Sequence, residues 1–453
     1  MPYALFTAIP FVGHLNPLVR EAQELQRRGW RVAIASYREL VPHLAREGPG
    51  VAIVDLGALG PVGDRLRACE DAASADPDYT RGAMRMLPAL TEIWPSMYER
   101  MTAAIAADKP DVVVADIFSP GGYLPAMDAG VPLAINNPAL LSAVQPALLP
   151  PAPHVPIATT ARSIHKVGMW HRALEPLVRA FVTAGLNLTL GRQVNRWRAR
   201  RGLPRLALAR VLRDRPILVN GVFGLEYTRA LPSFVHMIGP VLPAEFAPLL
   251  PETAAWLAAG PPVVYANLGT VSRAPAAQLA KMAEAFAGED FRVLWVVRDV
   301  IRDRLPASLA PNIRVASWIE SPRAVLAHPN VRVFVSHCGI NSVYESMTAG
   351  TPVVGIPMLS DQRDMAARVA DAGVGLWMDK TRFTAAELRA AIDRVRHESG
   401  FRERVAPIQR ACASAGGVRR AADLIEAQAR IAYNVDIPSS AWSAQSSRAE
   451  VVR

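Results

Sequence analysis

Val333-Phe334-Val335-Ser336-His337-Cys338-Gly339-Ile340-Asn341-Ser342 reads as a short apolar strand, a turn broken by Gly339, and the opening of a helix that also carries Glu345. A strand that hands its carboxyl end to a helix N-terminus presents unpaired backbone N–H groups and the positive end of a dipole. That arrangement suits a phosphate. His337 and Ser342 add side-chain donors, whereas Gly339 and Asn341 taken alone could equally form a turn with a helix cap.

Outward from this stretch, similar signals recur at strand ends. Trp318 follows the strand-like run 313–317 and so shares a sheet edge with His337; its indole serves either as core packing or as a plate for a base. Glu345 lies one helical turn beyond Asn341 on the same face. It can accept two hydrogen bonds from a vicinal diol, or stand as a solvated helix acid. Asp361 and Gln362 follow the strand 352–356 and either hold hydroxyls or cap the next helix. Thr270, in Asn267-Leu268-Gly269-Thr270, ends the first strand of this half and could donate to a phosphate oxygen.

Strand-length apolar runs at 263–268, 292–297, 313–317, 331–336 and 352–356 alternate with helical segments at 276–287, after Gly339 and at 361–372. The same alternation runs through strands 3–9, 30–35, 111–116 and 131–135, with a helix over 16–28. This is the pattern of parallel sheets with crossover helices. The expected fold class is α/β, with two doubly wound Rossmann-like domains facing across a cleft. The expected boundaries are 1–235 for a first domain, 236–251 for a Pro-rich linker and 252–415 for a second domain. A C-terminal helix over 416–437 would pack back on the first domain, and 438–453 would be a mobile tail.

In the first half, Phe11-Val12-Gly13-His14-Leu15-Asn16-Pro17 joins the first strand to the first helix and sets His14 at the mouth between domains. A neutral histidine can take a proton from an attacking hydroxyl, and Asp116, at another strand's end, could stabilise the imidazolium. The alternative is a loop histidine satisfied by backbone. The Pro/Leu/Ala stretch 138–156 and the helical segment 164–190 read either as a surface loop over a core or as a pocket wall for an apolar small molecule.

Composition narrows the classes. The 453 residues are 51% hydrophobic, which excludes disorder, and carry a formal net charge of +10. Lys109, Lys166, Lys281 and Lys380 are the only lysines, so the surplus is arginine. With no dense basic block apparent, it reads as compositional bias and not as a nucleic-acid footprint, though it could favour anionic substrates or an acidic lipid surface. Cys69, Cys338 and Cys412 lack metal or redox spacing, as expected in a reducing compartment. His154, His165 and His171 have no metal-ligand spacing, so no structural metal is expected. No apolar run reaches the roughly 18 residues needed to span a bilayer, and the chain is expected to be cytoplasmic with at most peripheral membrane contact.

The series Trp318, His337-Cys338-Gly339-Ile340-Asn341-Ser342, Glu345, Gly350-Thr351-Pro352 and Asp361-Gln362 resembles the signature of the nucleotide-diphosphate-sugar glycosyltransferases with two Rossmann domains (GT-B type). Within these it is similar to the UDP-glycosyltransferase group, glycosyltransferase family 1, in a bacterial small-molecule or macrolide-type member. The resemblance implies that Trp318 stacks on uracil, with Ile319 beside it among the donor contacts. It further implies that Glu345 binds the ribose, that His337, Asn341 and Ser342 hold the diphosphate, and that Asp361 and Gln362 hold the sugar; Gly339 and Thr270 complete the expected donor-binding set. The family places its base in a Gly-His-x-x-Pro loop and its partner Asp at a later strand end, which here are His14 and Asp116. Two departures are Ile319-Glu320-Ser321-Pro322, where Pro-Gln commonly follows the tryptophan, and Ile340, where a second Trp is frequent.

The implied function is inverting, metal-independent transfer of a sugar, expected to be glucose, from a UDP-sugar to a hydroxyl of a hydrophobic small molecule, with no cofactor. A carboxylate gains full value only from both ribose hydroxyls, so Glu345 favours UDP over dTDP. The rivals are a nucleotide-sugar epimerase or hydrolase of the same fold and a non-catalytic sugar-nucleotide-binding partner protein. No motif marks the acceptor-facing regions 56–98 and 138–190.

Overall fold

The computed structural model describes residues 1–157, 160–243, 247–269 and 273–434. Thr270, part of the expected linker and the expected tail therefore lie outside the described residues.

The first half forms one sheet from β1 (Tyr3–Thr7), β2 (Arg31–Ser36), β3 (Ala52–Asp55), β4 (Val112–Asp116), β5 (Leu133–Asn137), β6 (Ile217–Val219) and β7 (Val235–Met237). The second half forms another from β8 (Val263–Asn267), β9 (Arg292–Val296), β10 (Ile313–Ala316), β11 (Val331–Ser336), β12 (Val353–Gly355) and β13 (Gly375–Trp377). Their orders are β3-β2-β1-β4-β5-β6-β7 and β10-β9-β8-β11-β12-β13. The pairings between these strands are parallel. Each sheet starts in its middle, grows to one edge, then resumes on the other side of its first strand. Crossovers leave in opposite directions at that reversal, so a crevice opens at the carboxyl ends of β1 and β4, and again at β8 and β11. β1, β4 and β5 are buried along their whole length, as sheets covered on both faces require.

Some boundaries differ from expectation. The first helix starts at Val12 and runs to Arg27, so His14 sits in its first turn and not in a preceding loop. β7 carries the first sheet to Met237, into the stretch read as linker. The segment without motif after β3 folds as two helices, Pro61–Ala75 and Tyr79–Ala107, the second accommodating Pro88 and Pro95. After β5 come short 3-10 turns, the helix Met169–Leu186, a π-helical turn Asn187–Gly191 and the helix Arg192–Ala199.

Several bonds tie the halves together. Helix Gly417–Asn434 lies against helix Val12–Arg27, where Arg28 bonds Asp423 and Glu426 at 2.8 and 3.2 Å and Trp30 Nε1 donates to Glu426 at 3.0 Å. Arg368 and Glu226, both buried, pair at 3.0 Å across the halves. The backbone N–H of Val222 donates to the Tyr344 hydroxyl at 3.0 Å. Lys380 is fully buried and donates to the carbonyls of Ser74, at the end of helix Pro61–Ala75, and of Met358. Burial pulls its pKa down to about 8.

Candidate active site

The last residue of β4, Asp116, is fully buried, and its Oδ1 lies 3.1 Å from His14 Nδ1. The imidazole is 23% exposed, so one nitrogen is committed to the carboxylate and Nε2 is left for a ligand. Burial disfavours the imidazolium, but the charge and hydrogen bond of Asp116, with a smaller contribution from Asp361, raise the His14 pKa above its ordinary 6.5. Phe118 meets the His14 ring edge-on at 5.4 Å and Phe11 lies at 6.1 Å. These rings make the mouth around the base apolar. Phe118 was not singled out from sequence, although its place just beyond a strand's carboxyl end was the available signal.

Pro17 explains how the halves meet here. A proline nitrogen cannot donate to the carbonyl four residues back, so Pro17 leaves the Gly13 carbonyl free inside the helix. Asn341 Nδ2 donates to that oxygen at 2.9 Å. A residue expected on the diphosphate thus also grips the backbone next to His14.

In the second half, Ser336 ends β11, and Cys338 takes the left-handed backbone (φ +59°) while its N–H donates to Ser336 Oγ. Gly339 then caps helix Ile340–Ala349. The chain needs glycine on both sides of His337, since a Cβ at Gly339 would fall 2.2 Å from its Nε2 and one at Gly269 2.5 Å from the ring. His337 is enclosed, and burial lowers its pKa to about 4 against a weaker opposing influence from the Asn267 backbone. It is therefore neutral near pH 7 and can donate one N–H without adding charge.

Trp318 is 56% exposed, so its side chain is accessible to a ligand. Ile319 is buried in the core of this half beside Val325 and Leu326, which leaves only its backbone for a donor. Glu345 is partly buried; enclosure raises its carboxyl to about 7, with Arg323 and Arg20 pulling the other way. Asp361, in the first turn of helix Ser360–Asp371, is exposed toward the cleft, and its charge is among those felt by His14. Gln362 is buried and its Oε1 accepts from the N–H groups of Met358 and Leu359 at 2.8 and 3.0 Å. That is the capping alternative, leaving its Nε2 for a hydroxyl. Ser342 is half-buried in the first turn of its helix, next to Asn341. The structure thus brings His14, Asp116, Asn341 and Asp361 to one crevice. Arg20 and Arg323, which sequence gave no reason to select, set the field at Glu345.

Comparison with known proteins shows the family and the fold. Over residues 102–411 the sequence matches the family described as UDP-glucoronosyl and UDP-glucosyl transferase. UDP-glycosyltransferase 1 of Phaeomoniella chlamydospora is 28% identical over 373 residues, 78% of this chain and 75% of its own. The glycotransferase of kitacinnamycin shares the fold at a TM-score of 0.69 and 22% identity, covering 94% of this chain and 100% of that one. A variant of Os79 from O. sativa, in complex with UDP, does so at 0.66 and 22%, covering 94% and 99%.

Proposed function

Because the chain belongs to the UDP-glucoronosyl and UDP-glucosyl transferase family, we propose that it moves a sugar, glucose in the first instance, from UDP to a hydroxyl of an apolar small molecule with inversion. The observation that carries this reading is the 3.1 Å His14–Asp116 pair in the same crevice as Asp361. His14 Nε2 takes the acceptor proton as its oxygen attacks the anomeric carbon from the face opposite the diphosphate. Asp116 stabilises the imidazolium that results. Trp318 stacks on the uracil and Glu345 accepts from both ribose hydroxyls, which favours UDP over dTDP. The helix N-terminus after Gly339, with His337 and Ser342, balances charge on the departing UDP, so the reaction proceeds without a metal ion. Asp361 and the free amide nitrogen of Gln362 hold sugar hydroxyls.

The test is His14→Ala with UDP-glucose and a panel of phenols and alcohols, read by mass spectrometry. Glycoside formation should nearly cease. Turnover within a few-fold of wild type sinks the base assignment, and rapid glucose release without acceptor indicates a hydrolase instead.

A further inference from the structure

Helix Met169–Leu186 is built inside out. Three of its polar residues face the protein: His171 and Glu175 are buried, His171 Nε2 lies 3.0 Å from the Val155 carbonyl, and Arg179 donates to the carbonyls of Pro146 and Leu149. Its apolar residues face out, with Trp170 77%, Leu177 67% and Phe181 78% exposed, and Leu174 and Leu188 about on the same line. Positions 170, 174, 177 and 181 fall on one helical stripe. A soluble helix normally turns such a stripe inward, so this face is made for something other than water.

Charge says what covers it. Residues 160–215 contain thirteen Arg or Lys and two Asp or Glu. The rest of the chain holds 37 basic and 38 acidic residues, so the surplus is not spread along the sequence as composition suggested. It is concentrated around this helix. Arg198 and Arg201 are spent on Asp128 and Glu99, while Arg162, Lys166, Arg172, Arg192, Arg196 and Arg205 are exposed. Arg192, Arg196 and Arg205 line one concavity on helix Arg192–Ala199 and the loop after it. Among the described residues, no helix is long and apolar enough to cross a membrane.

We propose that helix Met169–Leu186 is a peripheral docking surface for anionic phospholipid membranes, with Trp170, Leu177 and Phe181 entering the interface and Arg192, Arg196 and Arg205 meeting headgroup phosphates. An apolar stripe followed closely in the chain by exposed arginines gains from both burial and surface charge. This surface is independent of the donor reading above.

The test is co-sedimentation of the full chain with vesicles of phosphatidylcholine, alone or mixed with phosphatidylglycerol, at low and high salt. Binding should require phosphatidylglycerol and weaken with salt. The paired change Trp170→Glu and Phe181→Glu should abolish it, and Arg192→Ser with Arg196→Ser should weaken it about thirtyfold, both with unchanged circular-dichroism melting. Wild type that fails to bind, binds both vesicles equally, or binds as well after Trp170→Glu and Phe181→Glu overturns the proposal. So does a stable dimer, seen by analytical ultracentrifugation, that Trp170→Glu dissociates: a second copy then covers the face.

Discussion

The two halves of the molecule share a strand order and differ in what is inserted into it. Between consecutive strands of the second sheet the chain spends 14 to 24 residues. In the first, 56 residues separate β3 from β4 and 79 separate β5 from β6. Short connections tie each side chain to a strand end, so Trp318, His337 and Asp361 occupy one edge almost by construction. Long connections fold into helices of their own, and their side chains face wherever packing sends them. On the function proposed above, the edge would read the nucleotide sugar and the inserted helices the acceptor.

Four experiments would break or sharpen that contrast. His14→Ala should have the largest effect, lowering kcat by about 10²–10⁴-fold while leaving donor KM close to wild type in steady-state assays. If donor KM rose as much as kcat fell, the division of labour between the halves would be wrong. Glu226→Ala leaves Arg368 charged and buried across the halves, and should cost about 3–5 kcal/mol in denaturant unfolding. A cost under about 1 kcal/mol would mean that the halves hold together without this pair. Trp318→Ala should raise donor KM with kcat retained, at about 1–3 kcal/mol for a lost base stack; an unchanged KM would return Trp318 to a surface role.

The smallest effect concerns pH. His14 must be neutral to act, so kcat/KM should rise with pH through a midpoint above 6.5, the direction in which Asp116 and Asp361 shift it. Asp116→Asn removes the larger of these two influences while burial still opposes the charge, so that midpoint should move to lower pH. An upward shift in the pH–rate profile would contradict the pairing.

Much of the second sheet's carboxyl edge was legible because its signals are local. Gly339 after an apolar run, Trp318 after another and Asp361 after a third are each set by a strand ending nearby. Other facts were hidden because a strand-end signal does not say which of two partners a side chain takes, or where the next helix begins. Gln362 turns its oxygen back onto the Met358 and Leu359 backbone, and Ile319 goes into the core. His14 belongs to a helix that starts at Val12, ahead of the expected start at residue 16. In the first half, the helices over 61–107 and the outward-facing stripe of helix Met169–Leu186 had no pattern that told inside from outside. Amphipathic spacing shows that a helix has two faces and does not say which one meets the protein.

The sequence by itself determined two parallel α/β units with candidate ligand-binding residues at their carboxyl edges, since alternation, glycine breaks and strand-end residues are properties of neighbours in the chain. Tertiary structure alone decided which residues meet. His14 and Asp116 are 102 positions apart, and Asn341 and Gly13 are 328 apart. Their distances, the burial that lowers His337 and raises Glu345, and the side of helix Met169–Leu186 left to the outside depend on how strands and helices far apart in the chain pack together. No local pattern encodes that packing.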